Sequence, residues 1–333
     1  MNRSLLRVLA LVPALAALIV VAIVPLPLFA IAPGPARDVF PRIRVEGAEV
    51  YPSEGQLLLT TVTYGRASVP DAISAWLDEF VVVVPERLLF PPGRTQQEET
   101  RIQLSQMDES KLTAASVALA RVAGYPRRHG RGALVRRVEP GSPADGRLFP
   151  GDLIVRVDGR PVGSADDVVE HVRRVGASRA VEFTVRVEDQ TRTVGVRAER
   201  PGDGGDPRIG VEGTNVLDNF PFSVLIESGD IGGPSAGLMW SVGLIDLLTP
   251  GDLTAGRRIA GTGTIDLDGN VGPIGGIGQK VVAAERSGAT VFLVPRADHE
   301  GARAAGTGLE LVPVDHLEDA LAYLSRTCRC PGV

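Results

Sequence analysis

The sequence predicts a mixed α/β (α+β) chain, with an all-β-rich module inserted in its larger domain or preceding it, and one apolar helix at the N-terminus. Three observations predict this. Val8 to Ala32 carries no charge and is almost wholly apolar. The stretch GALVRRVEPGSPADGRLFPGDLIVRVDGRPV, beginning at Gly132, alternates short apolar runs with Pro-Gly and Asp-Gly turns. From residue 205 onward strand-like runs alternate with helical ones, the pattern of an α/β core. At 333 residues the length suits about two domains beyond any targeting segment.

The N-terminal element comes first. Residues 1–7 hold Arg3 and Arg7 and no acid. A run of about 20 apolar residues suffices to cross a bilayer. Residues 8–32 therefore read as a signal anchor, with residues 1–7 cytoplasmic and everything after it extracytoplasmic at the cell membrane. The alternative is a cleaved signal peptide, for which Ala30-Ile31-Ala32 has the small-x-small form. Pro13, Pro25 and Pro27 would kink or shorten the helix.

Residues 38–123 read as the front of the larger domain, or as a separate small module. Ile43 to Glu49 and Gln56 to Tyr64 read as strands around a polar turn. Ile73, Trp76, Leu77 and Phe80 recur at helical spacing. Thr95 to Ala123 reads as a helix with Leu112, Ser116, Leu119 and Ala123 on one face. Residues 124–200 form the β-rich module, in which Ser164 and Asp167 make a capping box for a helix through Val175. Pro201 to Pro207 reads as a flexible joint. Residues 205–326 form the second domain, with Arg208 to Gly213 and Phe222 to Ile226 as strands leading into it. Residues 327–333 are a tail in which Cys328 and Cys330 stand too close for an unstrained disulfide.

Two residues carry the chemistry. Of 35 lysines and arginines only Lys111 and Lys280 are lysine. Burial can strip the proton from a lysine but not from an arginine, so a lysine kept in an arginine-rich chain is a candidate base. Lys111 reads as an ordinary surface cation. Ser235 stands in Gly-Gly-Pro-Ser-Ala-Gly, with Ala236 to Leu248 reading as a helix behind it. Free N–H groups and the helix dipole there suit an incipient alkoxide or an oxyanion. A plain helix cap is the competing reading of Ser235.

GGPSAGL followed by TGTIDLDGNVGPIGGIGQKVVAA resembles the proteolytic domain of Lon-type proteases, from about Arg208 to Leu324. The resemblance implies Ser235 as nucleophile and Lys280 as its base. It implies Thr262 as dyad support, and backbone around Gly233, Pro234 and Ala236 as the oxyanion site. Three features depart from that family. No acid stands directly before Gly-Pro-Ser, PFSVLIES lacks histidine, and Thr262-Gly263-Thr264 stands where the family has Thr-Gly-Glu. The β-rich module resembles PDZ domains of bacterial envelope proteases. That implies a C-terminal or extended polypeptide bound by strand addition. Gly124, Tyr125 and Pro126 are the expected carboxylate loop, and Val168, His171, Val172 and Val175 the groove wall. Together the parts resemble membrane-anchored, PDZ-containing Lon-like endopeptidases, in which a homo-oligomer is common.

Other chemistries find little footing. A net charge of −5 argues against nucleic acid. No P-loop motif occurs, so cleavage is expected without ATP or any other cofactor. No metal-ligand cluster appears. A Ser–His–Asp triad would have to recruit His299 or His316, neither of which stands in a triad motif. The rival from another class is an inactive PDZ docking scaffold tethered to the membrane.

Overall fold

The computed structural model describes residues 28–68, 73, 75–86, 96–125, 132–187, 190–201, 204–215, 220–326 and 328. It divides into two units, Met1–Ala115 with Val224–Val333, and Ser116–Ser223.

The first unit opens with β1 (Leu28–Pro33), β2 (Arg37–Asp38), β3 (Ile43–Glu46), β4 (Gln56–Leu59), β5 (Val62–Arg66) and β6 (Val82–Pro85), then α1 (Gln96–Ala123), whose residues 96–115 it contains. The expected membrane helix fails at its C-terminal end. Leu28–Pro33 is a strand, paired antiparallel with both β5 and β6, with Phe29 fully buried. Proline locks its own φ, lacks an N–H and pushes the preceding residue towards extended backbone, so Pro25 and Pro27 in the sequence disfavour a helix running into this strand. Residues 8–27 lie outside the described residues. Among the described residues no helix is long and apolar enough to cross a membrane.

The two early strands do not form a hairpin. Gln56 to Tyr64 splits into β4 and β5, which join different sheets, and β3 pairs with β13 (Ser223–Ile226). The expected apolar helix face near Trp76 is not buried. Ile73, Trp76 and Leu77 are exposed, Trp76 at 85%. The stretch expected at Leu88 to Phe90 lies outside the described residues. On α1 the face also differs, since Leu112 and Ala123 are exposed while Met107, Ser110, Ala114 and Leu119 are buried.

After the second unit the chain returns with β13, α3 (Gly237–Leu248), β14 (Arg258–Gly261), and the β15 (Thr264–Ile265) and β16 (Val271–Gly272) hairpin. It ends with α4 (Ile277–Arg286), β17 (Val291–Pro295), α5 (His299–Ala304), β18 (Glu310–Val314) and α6 (Leu317–Ser325). The main sheet has the order β18-β17-β14-β4-β2, parallel except for β2. Its inner strand β17 reads as a continuous apolar run because both faces are covered, and all five of its residues are buried. Helix α3 is buried from Gly237 to Leu247, as a helix apolar all round must be. Phe292, Val281 and Ala284 pack with Ala260 of β14, which seats α4 on the sheet. Cys328, in the tail, is disulfide-bonded; Cys330 lies outside the described residues.

In the second unit lie β7 (Ala133–Val138), β8 (Leu153–Val157), β9 (Arg160–Pro161), α2 (Ala165–Val175), β10 (Val181–Val187), β11 (Gln190–Val196) and β12 (Val211–Asn215). The capping box forms as read. Asp167 N–H donates to Ser164 Oγ, and Ser164 N–H donates to Asp167 Oδ2. The sheet order is β11-β10-β8-β7-β12. Residues around Arg208 to Gly213, expected in the protease domain, are therefore the edge of this sheet. Val211 pairs with Val138 and Asn215 with Ala133, and Asn215 Oδ1 accepts from Ala165 N–H of α2. Pro201 to Pro207 is closed at its ends by the Glu199–Arg208 bridge rather than standing as a joint between domains.

Candidate active site and peptide groove

Three segments of the first unit meet at one point. Ser235 stands immediately before Ala236, the N-cap of α3. Thr262 follows β14 and is tied to β17 through its N–H to Leu293 O. Lys280 is the fourth residue of α4, which starts behind Gly276 in the left-handed region, φ +70°. Lys280 Nζ lies 2.9 Å from Ser235 Oγ and 3.2 Å from Thr262 Oγ1. Thr262 Oγ1 donates to Ser235 O at 3.0 Å, and Gly263 N–H donates to the same carbonyl at 2.8 Å. The serine backbone is thus held at two points. Because the threonine proton is committed to that carbonyl, its oxygen accepts an N–H of the amine. The amine lone pair is then left for the Ser235 hydroxyl proton.

Lys280 is 4% exposed. Burial pushes its pKa down to about 8, against a smaller upward pull from the Asp298 carboxylate. A base with that value is about one-tenth neutral at pH 7, a far larger share than an ordinary lysine has. If the neutral amine is the working form, kcat/KM on a peptide should climb about tenfold per pH unit below about 8 and level off above it. A profile from pH 6 to 10 checks this; a falling profile would mean the ammonium form is the active one.

Ser235 and Lys280 open onto a cleft of about 740 Å³, lined also by Ile31, Arg37, Tyr64 and Asp230. The oxyanion assignment needs correction. Gly233 N–H donates to Gln103 O of α1 at 2.8 Å, and Pro234 has no N–H. The N–H groups of Ser235 and Ala236 make no hydrogen bond among the described residues, so the open donors lie there. Gly233 has φ +82°, which a side chain would resist. Pro234 instead anchors the loop: its carbonyl accepts from Ser110 Oγ at 2.9 Å.

His299 and His316 stand apart from this cleft. His316 caps α6 and bonds Asp268 O through Nε2, and His299 lines a separate shallow depression. Among the described residues no cluster suits a metal ion.

The second unit carries its own groove. It is about 180 Å³ and runs between α2 and the chain from Pro207 to Gly213. Val168 and Val172 line it, with Ile209 and Val211 opposite. Gly124 and Tyr125 do not. Tyr125 N–H donates to Leu119 O at the end of α1, its ring packs on Phe220, and Pro126 lies outside the described residues. The loop beside the groove is Pro207 to Gly210, with Gly210 at φ +75°. His171 is not a groove residue either. Its Nε2 bonds Asp158 Oδ2 at 2.7 Å, and Arg179 together with His171 holds the Asp158 carboxyl well below the usual carboxylate range.

Residues 217–325 match the model of the Lon protease (S16) C-terminal proteolytic domain. Residues 134–187 match a PDZ domain model. The chain carries a Lon-type proteolytic domain and a PDZ domain. The chain is 39% identical over 93 residues to a Lon protease of Roseiflexus castenholzii, covering 27% of this chain and 11% of that one. It is 34% identical over 120 residues to Lon protease 1 of Myxococcus xanthus, covering 34% of this chain and 14% of that one. The chain thus spans only a small part of the length of these curated relatives. The PDZ domain of an SdrC-like protein from Listeria monocytogenes aligns at 23% identity, over 25% of this chain and 87% of that one, with a TM-score of 0.23.

Several residues of the Lon-type site gave no sign in the sequence. Gln103, Ser110 and Lys111 lie on α1, far from Ser235 in sequence. Lys111 is not a free surface cation: its Nζ pairs with Asp108 at 2.8 Å and donates to Ser228 Oγ at 3.3 Å, tying α1 to the strap that leads to Ser235. Tyr64 OH donates to Gln103 Oε1 at 2.9 Å. No local motif marks these residues; only the helical period of α1 could have placed Gln103 and Ser110 two turns apart on one face.

Proposed function

We propose that the chain is an ATP-independent serine endopeptidase whose PDZ domain selects envelope or membrane-associated polypeptides. One observation carries this reading: a buried lysine amine lies 2.9 Å from a serine hydroxyl at the floor of an open cleft. Neutral Lys280 takes the Ser235 proton as Oγ attacks a peptide carbonyl. The Ser235 and Ala236 N–H groups receive the oxyanion. Lys280 then protonates the leaving amine, and water, deprotonated by the same lysine, resolves the acyl-enzyme. Nothing in these steps calls for a nucleotide. Ile31 and Thr61 to Tyr64 border the cleft and suit an extended substrate.

In the PDZ domain, β12 is the last strand of its sheet and leaves one edge open beside α2. A peptide end laid there would meet Val168 and Val172, with the Pro207 to Gly210 loop at its carboxylate. The uncharged stretch before Leu28 supports a membrane tether, with both domains outside the cytoplasm and a homo-oligomer as the assembly.

The test uses the full chain in detergent, without nucleotide, incubated with an unfolded protein and followed by mass spectrometry. Cleavage by the parent and its loss in Ser235→Ala are expected. Persistent cleavage in Ser235→Ala would remove the nucleophile from the proposal. No cleavage by the parent would favour a docking scaffold.

A further inference from the structure

We propose that Arg37 forms a carboxylate-binding subsite in the catalytic cleft and makes cleavage prefer substrates with an acidic side chain at one fixed position from the scissile bond. This rests on the peptidase reading. Arg37 lies on β2, opposite Leu59 of β4, and lines the same cleft as Ser235 and Lys280. Its Nε is buried and has no hydrogen-bond partner among the described residues. Neither does its guanidinium take part in any ion pair among the described residues. Other arginines of this unit are matched: Arg286 with Asp78, Arg296 with Asp315, Arg258 with Ser287 O.

The wall around Arg37 is otherwise satisfied. Thr60 Oγ1 donates to Gly261 O and Thr61 Oγ1 donates to Pro35 O. Arg37 is the polar group there that still lacks an acceptor. A buried donor without an acceptor is unfavourable, and a guanidinium cannot shed its charge to escape. Its planar fork matches a carboxylate through two parallel N–H···O bonds. Because Nε is buried, an entering substrate carboxylate would meet the two outer guanidinium nitrogens, which make no hydrogen bond among the described residues. The ligand group is a side-chain carboxylate of Glu or Asp; a chain-end carboxylate offers the same chemistry and needs its own arm of the test.

The experiment uses the full chain and quenched fluorescent peptides with amidated ends, identical except for Glu, Gln or Lys placed in turn on either side of the cleaved bond. At one position kcat/KM for Glu should exceed that for Gln by about tenfold or more. In Arg37→Gln that ratio should fall to about one, and Arg37→Glu should favour Lys at the same position. Peptides with a free C-terminus near the bond report the second source. If they alone gain, the carboxylate is a chain end and the side-chain assignment is overturned. A parent with no Glu preference overturns the proposal, as does a ratio that survives in Arg37→Gln. The parent-only comparison does not depend on the variants folding. If the parent cleaves neither peptides nor unfolded protein, the peptidase reading fails and this proposal with it.

Discussion

Lys280→Arg should abolish peptide cleavage, by about 10³-fold or more in kcat/KM, because a guanidinium cannot accept the Ser235 proton. Lys280→Met should be equally inactive but no less stable at pH 7. The argument runs through linkage. An unfolded lysine titrates near 10.5, whereas the folded one is pushed down to about 8 by burial. Between those values the unfolded chain holds one more proton than the folded chain. Stability therefore rises with pH across that window, and below about 8 the lysine costs about 3 kcal/mol. Methionine removes that cost, while leaving the Ser235 and Thr262 hydroxyls without their amine, a loss of about 1 kcal/mol each. Thermal unfolding of parent and Lys280→Met at pH 7 and pH 10 checks the sign. The variant's advantage should shrink at the higher pH. An advantage that grows with pH would mean that burial does not lower the lysine's pKa.

Trp240→Ala should produce the largest loss of stability at a single position in the Lon-type unit. Trp240 is fully buried on α3, and truncating a buried tryptophan costs about 3–5 kcal/mol. Domains of this size have about 5–15 kcal/mol in all. The melting temperature should drop by about 10 °C. Activity per folded molecule should fall as well, since α3 carries Ala236 and Ser235 at its start. Trp240→Phe should be much milder. Its smaller ring leaves a gap, but it also removes an indole N–H that has no partner among the described residues. Circular dichroism melts of the two variants distinguish these outcomes. Equal destabilisation would show that the indole N–H, rather than ring volume, is what the core requires.

The dyad was legible because two separated segments each carried a local reason. Ser235 lay before an apolar helix, and Lys280 was one of only two lysines among 35 basic residues. Thr262 became legible through the family resemblance, and the structure places its hydroxyl 3.2 Å from the Lys280 amine and 3.0 Å from the Ser235 carbonyl. The capping box at Ser164 was legible because its two partners are three residues apart. What failed was long-range. Whether residues around Arg208 to Gly213 join the sheet of one domain or the other depends on pairing with Ala133–Val138, which no local pattern encodes. The oxyanion loop was misread for the same reason: Gln103 is too distant in sequence for its carbonyl to be anticipated on Gly233. Leu28 to Ala32 was misread because a buried strand and a membrane helix are equally apolar, and only the prolines before it told them apart.

The pairing of β4 with β14 has a consequence for synthesis. Leu57 lies beside Ile259 in one parallel ladder, so a ribosome making this chain must complete the whole PDZ domain before the catalytic sheet can close. The PDZ domain can therefore acquire its structure first, while β4, already paired with β2, waits for β14. A nascent chain stalled between Asn215 and Arg258 would display a peptide-binding domain but no sheet on which Ser235 and Lys280 could meet. Ser235 would have no Lys280 beside it until α4 had been made as well.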